Sequence, residues 1–120
     1  MVVDQRRAEG AERTDLLFHA LADATRRDIV RLALQGEHSV SDLARHYPMS
    51  FAAVQKHVAV LEAAELVTKR RCGREQLVAG NVATVREASR LLDRLEELWR
   101  DRIDRFGEVL AEYPTTGGTR

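Results

Sequence analysis

Residues 39–66 read SVSDLARHYPMSFAAVQKHVAVLEAAEL, two helical patterns separated by a Tyr-Pro step. Ser39 or Ser41 stands ahead of Asp42, Leu43 and Ala44 as a helix N-cap, because a short hydroxyl side chain accepts from a backbone N–H that has no partner inside the helix. Tyr47-Pro48 must close that short helix, since proline pushes the residue before it out of the helical region. Ser50 then offers a fresh cap. Val54, Val58, Leu61 and Ala64 or Glu65 follow at helical spacing, which predicts a fourth helix of about four turns with a single buried stripe. Two helices joined by a tight turn make a helix-turn-helix.

Upstream, Leu16, Leu17, Ala20 and Leu21 mark a first helix, and Ile29, Val30, Leu32, Ala33 and Leu34 a second. Asp23 or Thr25 caps the second helix and Gly36 ends it. Downstream of Leu66 the period changes. The run LVTKRRCGREQLVA reads as two short extended segments around Cys72-Gly73-Arg74, with glycine where a hairpin needs positive φ. Beyond Asn81, Val85, Ala88, Leu92, Leu95, Trp99, Ile103, Phe106, Leu110 and Tyr113 recur at steps of three and four, close to a heptad, and predict one long amphipathic helix. Its stripe is too long to bury against a domain of about 65 residues, so pairing with a second copy is the remedy, with help from the first helix. The expected dimer contacts are Leu16 and Leu17 from the first helix, then Leu92, Leu95, Trp99, Ile103, Phe106 and Leu110. Residues 1–13 lack apolar periodicity, and 114–120, PTTGGTR, open with proline, so both ends read as flexible tails. The expected organisation is therefore a domain over 14–81, a dimerisation helix over 82–113, and the two tails.

Composition bounds the rest. The 120 residues suffice for one core, and 19 Lys plus Arg balance 19 Asp plus Glu, so any electrostatic argument must be local. Residues 50–74 carry Lys56, Lys69, Arg70, Arg71 and Arg74 against Glu62 and Glu65, a net +3, whereas 81–112 carry six arginines against eight acids, a net −2. Cations are thus concentrated on the helix-turn-helix and hairpin, as attraction to phosphate would require. The lone Cys72 excludes an intrachain disulfide, no apolar run approaches the ~18 residues that span a bilayer, and MVVDQRRAEGAERTD lacks the apolar core of a secretory signal. A cytoplasmic protein without a membrane partner is expected.

In a helix-turn-helix the second helix enters the major groove by its N-terminal residues. With Val54, Val58 and Leu61 turned inward, Phe51, Ala52, Gln55 and Lys56 point outward, and Ser50 caps the helix within reach of phosphate. Gln55 suits adenine, Lys56 suits phosphate or guanine, and Ala52 or Phe51 can rest on a thymine methyl. Lys69, Arg70, Arg71 and Arg74 border the hairpin and suit backbone phosphates or the minor groove. A plain surface helix and a solvated turn are the bland alternatives.

The runs Leu21-Ala22-Asp23-Ala24-Thr25-Arg26-Arg27-Asp28-Ile29-Val30, Ser41-Asp42-Leu43-Ala44, and Met49-Ser50 through His57-Val58 to Val67 resemble the ArsR/SmtB family over roughly 60 residues. The resemblance implies a mainly α winged helix-turn-helix with a small β-hairpin and terminal dimerisation helices. It also implies a homodimeric repressor that binds an imperfect palindrome in double-stranded DNA near its own promoter and lets go when an effector binds. Carried over residue by residue, Ser50, Gln55, Lys56 and His57 fall on the recognition helix, and Arg70, Arg71 and Arg74 on the wing. Gln55 stands where many members have serine, and Ala52 where proline is common, departures that touch sequence preference more than fold.

Metal-sensing members carry a Cys-x-Cys pair on the third helix or Asp and His ligands on the last. Here Glu37-His38-Ser39-Val40-Ser41-Asp42-Leu43 holds no cysteine, and the last helix holds no histidine. His19, His38, His46, His57 and Cys72 are scattered over different elements, so no metal or other cofactor is expected. Trp99-x-x-Arg102-Ile103-Asp104 is similar to the non-metal branch, with Trp99 read as a dimer-core aromatic. Cys72 at the hairpin tip reads as an inert thiol, with a redox switch as the alternative. No phosphate loop, nucleophile elbow or paired metal-site motif supports an enzyme. A protein-interaction module on the same fold is the competing function, and no residue names an effector.

Overall fold

The computed structural model describes residues 2–112, with side chains from residue 8 onward, as α1 (Val2–Leu21), α2 (Ala24–Gln35), β1 (His38–Ser39), α3 (Val40–Ala44), α4 (Phe51–Ala63), β2 (Val67–Cys72), β3 (Glu75–Gly80) and α5 (Val82–Glu112). Each inner helix starts where a short polar side chain can accept. The side chain of Asp23 takes the N–H of Arg26 at 3.0 Å, Ser39 that of Asp42 at 3.0 Å, and Ser50 that of Ala53 at 3.1 Å. Of the paired candidates for caps, Asp23 and Ser39 are thus the ones used. Their buried stripes, Ile29, Val30 and Ala33 on α2, Val40 and Leu43 on α3, and Val54, Val58 and Leu61 on α4, meet Leu17 and Ala20 of α1 in one core. Val67 and Val78 close it from the sheet, with Leu66 just ahead of β2.

The sheet is antiparallel, ordered β1-β3-β2. The hairpin pairs Val67 with Gly80 through Cys72 with Glu75, leaving Gly73 and Arg74 as the turn, and Gly73 takes φ 63°. The third strand escaped the sequence because two residues show no period. His38 and Ser39 lie opposite Val78 and Leu77, and Ser39 serves both as strand residue and as cap of α3.

Two departures from the expected outline have physical causes. The tail expected at 1–13 is helical from Val2, in a segment rich in good helix formers but without a stripe to betray it. It is tied down by charge: Arg13 donates through Nε to Glu87 Oε2 at 2.7 Å, through a second nitrogen to Glu87 Oε1 at 2.9 Å, and through the third to Glu65. The expected boundary at 81/82 moves into α5. The chain divides into two compact units, Met1–Ala88 and Ser89–Arg120, because Thr84 and Ala88 are buried in the first unit with Val85 packed alongside. The anticipated C-terminal tail at 114–120 and Tyr113 lie outside the described residues.

Among the described residues, the end of α4 holds the only positive φ outside glycine. Glu65 has φ 61°, a left-handed conformation that disfavours any residue with a Cβ. It allows the N–H of Leu66 to reach the carbonyl of Leu61 at 3.0 Å, closing the helix and turning the chain into β2. Asn81 holds the turn from outside, its Nδ2 donating to the Glu65 carbonyl at 3.0 Å and its N–H to the Leu66 carbonyl at 2.9 Å.

Candidate nucleic-acid interface

The α3–α4 turn is fixed from beneath. Tyr47 Oη donates to Asp28 Oδ2 at 2.7 Å, and Arg31 Nε donates to Asp28 Oδ1 at 2.9 Å, so the carboxyl of Asp28 is held below its ordinary value first by the phenol and then by the guanidinium. Burial and the same contact push the Tyr47 phenol up. Ser50 therefore caps an α4 whose start is anchored to α2. From that start Phe51, Ala52, Gln55 and Lys56 are all exposed, while Val54, Val58 and Leu61 are buried. Phe51 is 47% exposed, a large apolar ring presented to solvent one turn ahead of Gln55.

His57, which the family resemblance places on the recognition helix, stands apart from this exposed group. Its ring is half-buried and turns toward α2, with Nδ1 3.3 Å from a terminal nitrogen of Arg26 and 4.0 Å from Asp23 Oδ2. Asp23 is itself held below the ordinary carboxylate value, chiefly by the Arg26 backbone N–H.

The hairpin cations also separate. Lys69 leans back onto α4, its Nζ 3.2 Å from Glu62 Oε1, because it shares the inward face of β2 with buried Val67. Arg70, on the opposite face, makes a two-pronged contact with Glu37: Nε donates to Oε2 and a terminal nitrogen to Oε1, both at 2.8 Å. The contact lowers the Glu37 carboxyl and raises the Arg70 guanidinium. Arg71 and Arg74 are exposed, and among the described residues no acid pairs with either. The alternation of β2 already separates Arg70 from Arg71. The neutralising role of Glu37 could not be read from the sequence, since it depends on a contact across 33 positions.

On the expected dimer surface, Leu17 must be removed: it is 0% exposed and packs wholly inside its own chain, one helical position from Leu16, which is exposed. Leu92, Leu95, Trp99, Ile103, Phe106 and Leu110 are all exposed on α5, as are Leu98 and Val109 on its flank. Among the described residues no group of three or more His, Cys, Asp or Glu side chains could hold a metal ion, and no helix is long and apolar enough to cross a membrane. Cys72 is a free, exposed thiol beside the hairpin turn.

Comparison with known proteins joins these features to a family. The profile of the arsR family of bacterial regulatory proteins matches residues 23–69, the span from the cap of α2 into β2. The HTH-type transcriptional regulator Rv2034 of Mycobacterium tuberculosis is 46% identical over 59 residues, 49% of this chain and 55% of that protein. The chain thus matches little more than half the length of this curated relative. The crystal structure of a "Possible transcriptional regulator for arsenical resistance" is 35% identical, with a TM-score of 0.63 over 78% of this chain and 94% of that one. The ArsR-like transcriptional regulator from Rhodococcus sp. RHA1 superposes with a TM-score of 0.74 at 29% identity, covering 84% and 95% of the two chains. With its capped helix pair, three-stranded sheet and hairpin wing, the chain belongs to the ArsR family of winged helix-turn-helix regulatory proteins.

Proposed function

We propose that the chain is a homodimeric, sequence-specific DNA-binding transcriptional repressor that recognises an imperfect palindrome, its own promoter included. The observation that carries this reading is the start of α4. Phe51, Ala52, Gln55 and Lys56 stand exposed in the first two turns of a helix whose other face is fully buried and whose cap is anchored to α2. Short polar and apolar groups on a rigid helix tip fit the base edges of a major groove: Gln55 reads adenine, Lys56 binds guanine or phosphate, and Phe51 and Ala52 meet thymine methyls. Ser50 reaches the flanking phosphate. On the wing, Arg71 and Arg74 supply the free cations, with Lys69 and Arg70 in reserve behind their acids.

Dimerisation follows from the apolar stripe of α5 between Leu92 and Leu110, and the exposed Leu16 of α1 is a separate candidate contact. A stripe of this size on a single chain favours association, and a two-fold pair of α4 helices matches a palindromic site. The protein works without a metal or other cofactor, in the non-metal branch of its family and in the cytoplasm. The test is titration of the protein against labelled DNA from upstream of its gene, beside a variant carrying Gln55→Ala and Lys56→Ala. Tight, salt-sensitive binding that the variant loses by about 1–3 kcal/mol per base contact supports the reading. Equal affinity of the two proteins for that DNA and for random sequence overturns it.

A further inference from the structure

Arg26 makes contacts that none of the roles above uses. Its backbone N–H completes the cap of α2 on Asp23, and its guanidinium then reaches in two other directions. Nε donates to the Ala20 carbonyl at 2.8 Å and one terminal nitrogen to the His19 carbonyl at 2.9 Å, satisfying the last turn of α1. The remaining nitrogen lies 3.3 Å from His57 Nδ1 on α4. A guanidinium can only donate, so a hydrogen bond here requires Nδ1 as the accepting nitrogen and the imidazole proton on Nε2, although the same Nδ1 also lies 4.0 Å from Asp23 Oδ2. One side chain therefore joins the end of α1, the start of α2 and the middle of α4.

We propose that Arg26 and His57 are a positioning pair that sets the angle at which α4 presents its tip, so that His57 governs DNA affinity through Arg26 and not by touching DNA. The proposal rests on the reading that α4 binds DNA. The lever is long enough to matter. Phe51 lies six residues from His57, about 9 Å along the axis at the ~1.5 Å rise of an α-helix, so a tilt of about 10° displaces it by about 1.5 Å. Errors of about an ångström in a positioned group are enough to lose most of its directional contacts. Because the same guanidinium seats the end of α1, whose Leu16 lies on the proposed dimer surface, the pair also transmits the seating of α1 to the recognition helix.

The test is a double-mutant cycle on the full chain, read as the dissociation constant for upstream DNA, with dimer mass and helical content checked for every variant. His57→Ala and Arg26→Gln are each expected to weaken binding about tenfold, and the double variant to be no weaker than either. His57→Asn, whose Oδ1 stands close to where Nδ1 stood, is expected to restore affinity to within about threefold of the parent. It leaves the α1 contacts of Arg26 untouched, so the result holds even if Arg26→Gln fails to fold. Nitrogen-15 NMR of the imidazole is expected to show the Nε2–H tautomer. Multiplicative losses, failure of Asn to rescue, or an Nδ1–H tautomer would overturn the positioning pair. A parent protein with no preference for its upstream DNA would instead remove the α4 reading beneath it, while the tautomer still reports on the contact itself.

Discussion

Replacing Glu37 by Gln frees a wing cation without touching the hairpin. In the parent, Arg70 is held by both oxygens of Glu37, and Lys69 by Glu62, which leaves Lys56, Arg71 and Arg74, among the described residues of α4 and the hairpin, as the free cations of the proposed binding face. If each of these engages one phosphate, a dimer makes about six contacts, and log K against log salt falls with a slope of about −5.4 at ~0.9 per phosphate. Glu37→Gln cannot hold the guanidinium as a charge pair, so Arg70 joins the count in both protomers and the slope steepens by about 1.8. Affinity for any duplex rises by several-fold at low salt, and the ratio of specific to random binding stays constant, since phosphate carries no sequence information. Fluorescence anisotropy at five salt concentrations between about 50 and 300 mM resolves such a change in slope. Parent and variant lines that run parallel would refute the idea that Glu37 masks Arg70.

Four further outcomes follow from the packing. Glu65→Gly removes the left-handed strain at the end of α4 and is expected to raise stability by about 1 kcal/mol, less whatever the exposed Arg13 contact contributes; a urea titration that shows a loss would contradict this. Gly80→Ala places a Cβ 2.9 Å from the backbone nitrogen of Leu34 and 2.6 Å from its side chain, so a loss of about 1–3 kcal/mol is expected in thermal melts, and an unchanged Tm would speak against the close approach of β3 to α2. Ile103→Glu places a charge in the α5 stripe and is expected to yield monomers in sedimentation, with DNA affinity falling alongside; a dimer of unchanged strength would remove α5 from the interface. Tyr47→Phe removes the chief cause that lowers the Asp28 carboxyl. A depressed carboxyl contributes stability that is present above its unfolded value near about pH 4 and is lost as pH falls through the folded value. The gap in stability between parent and variant is therefore expected to be wide at pH 7 and to narrow below about pH 4, and a gap independent of pH would refute the assignment.

The residues that announce themselves in the sequence are those whose physics is local. Ser50 as a cap, the stripe of Val54, Val58 and Leu61, the positive φ of Gly73 and the apolar period of α5 each depend on neighbours within a few positions, and each stands in the structure where its pattern places it. What stayed hidden depends on distant partners. Strand β1 exists only because His38 and Ser39 lie beside β3, and Arg13 of α1 is held by Glu65 and Glu87, partners 52 and 74 positions away. Leu17 and Leu16 look alike as letters, yet one position of helical rotation puts the first in the core and the second on the surface. His57 shows the same limit at the site itself: its place on α4 is legible, whereas its turn toward Arg26 is set by how α4 crosses α2.

In the proposed complex two copies of α4 enter successive major grooves of one duplex. Hydroxyl-radical footprinting of the protein on DNA from upstream of its gene tests this directly. Two protected patches related by two-fold symmetry are expected, their centres about one helical turn or about 10 bp apart, with flanking protection where the wings lie. Uniform protection along the fragment, or a single unpaired patch, would contradict it.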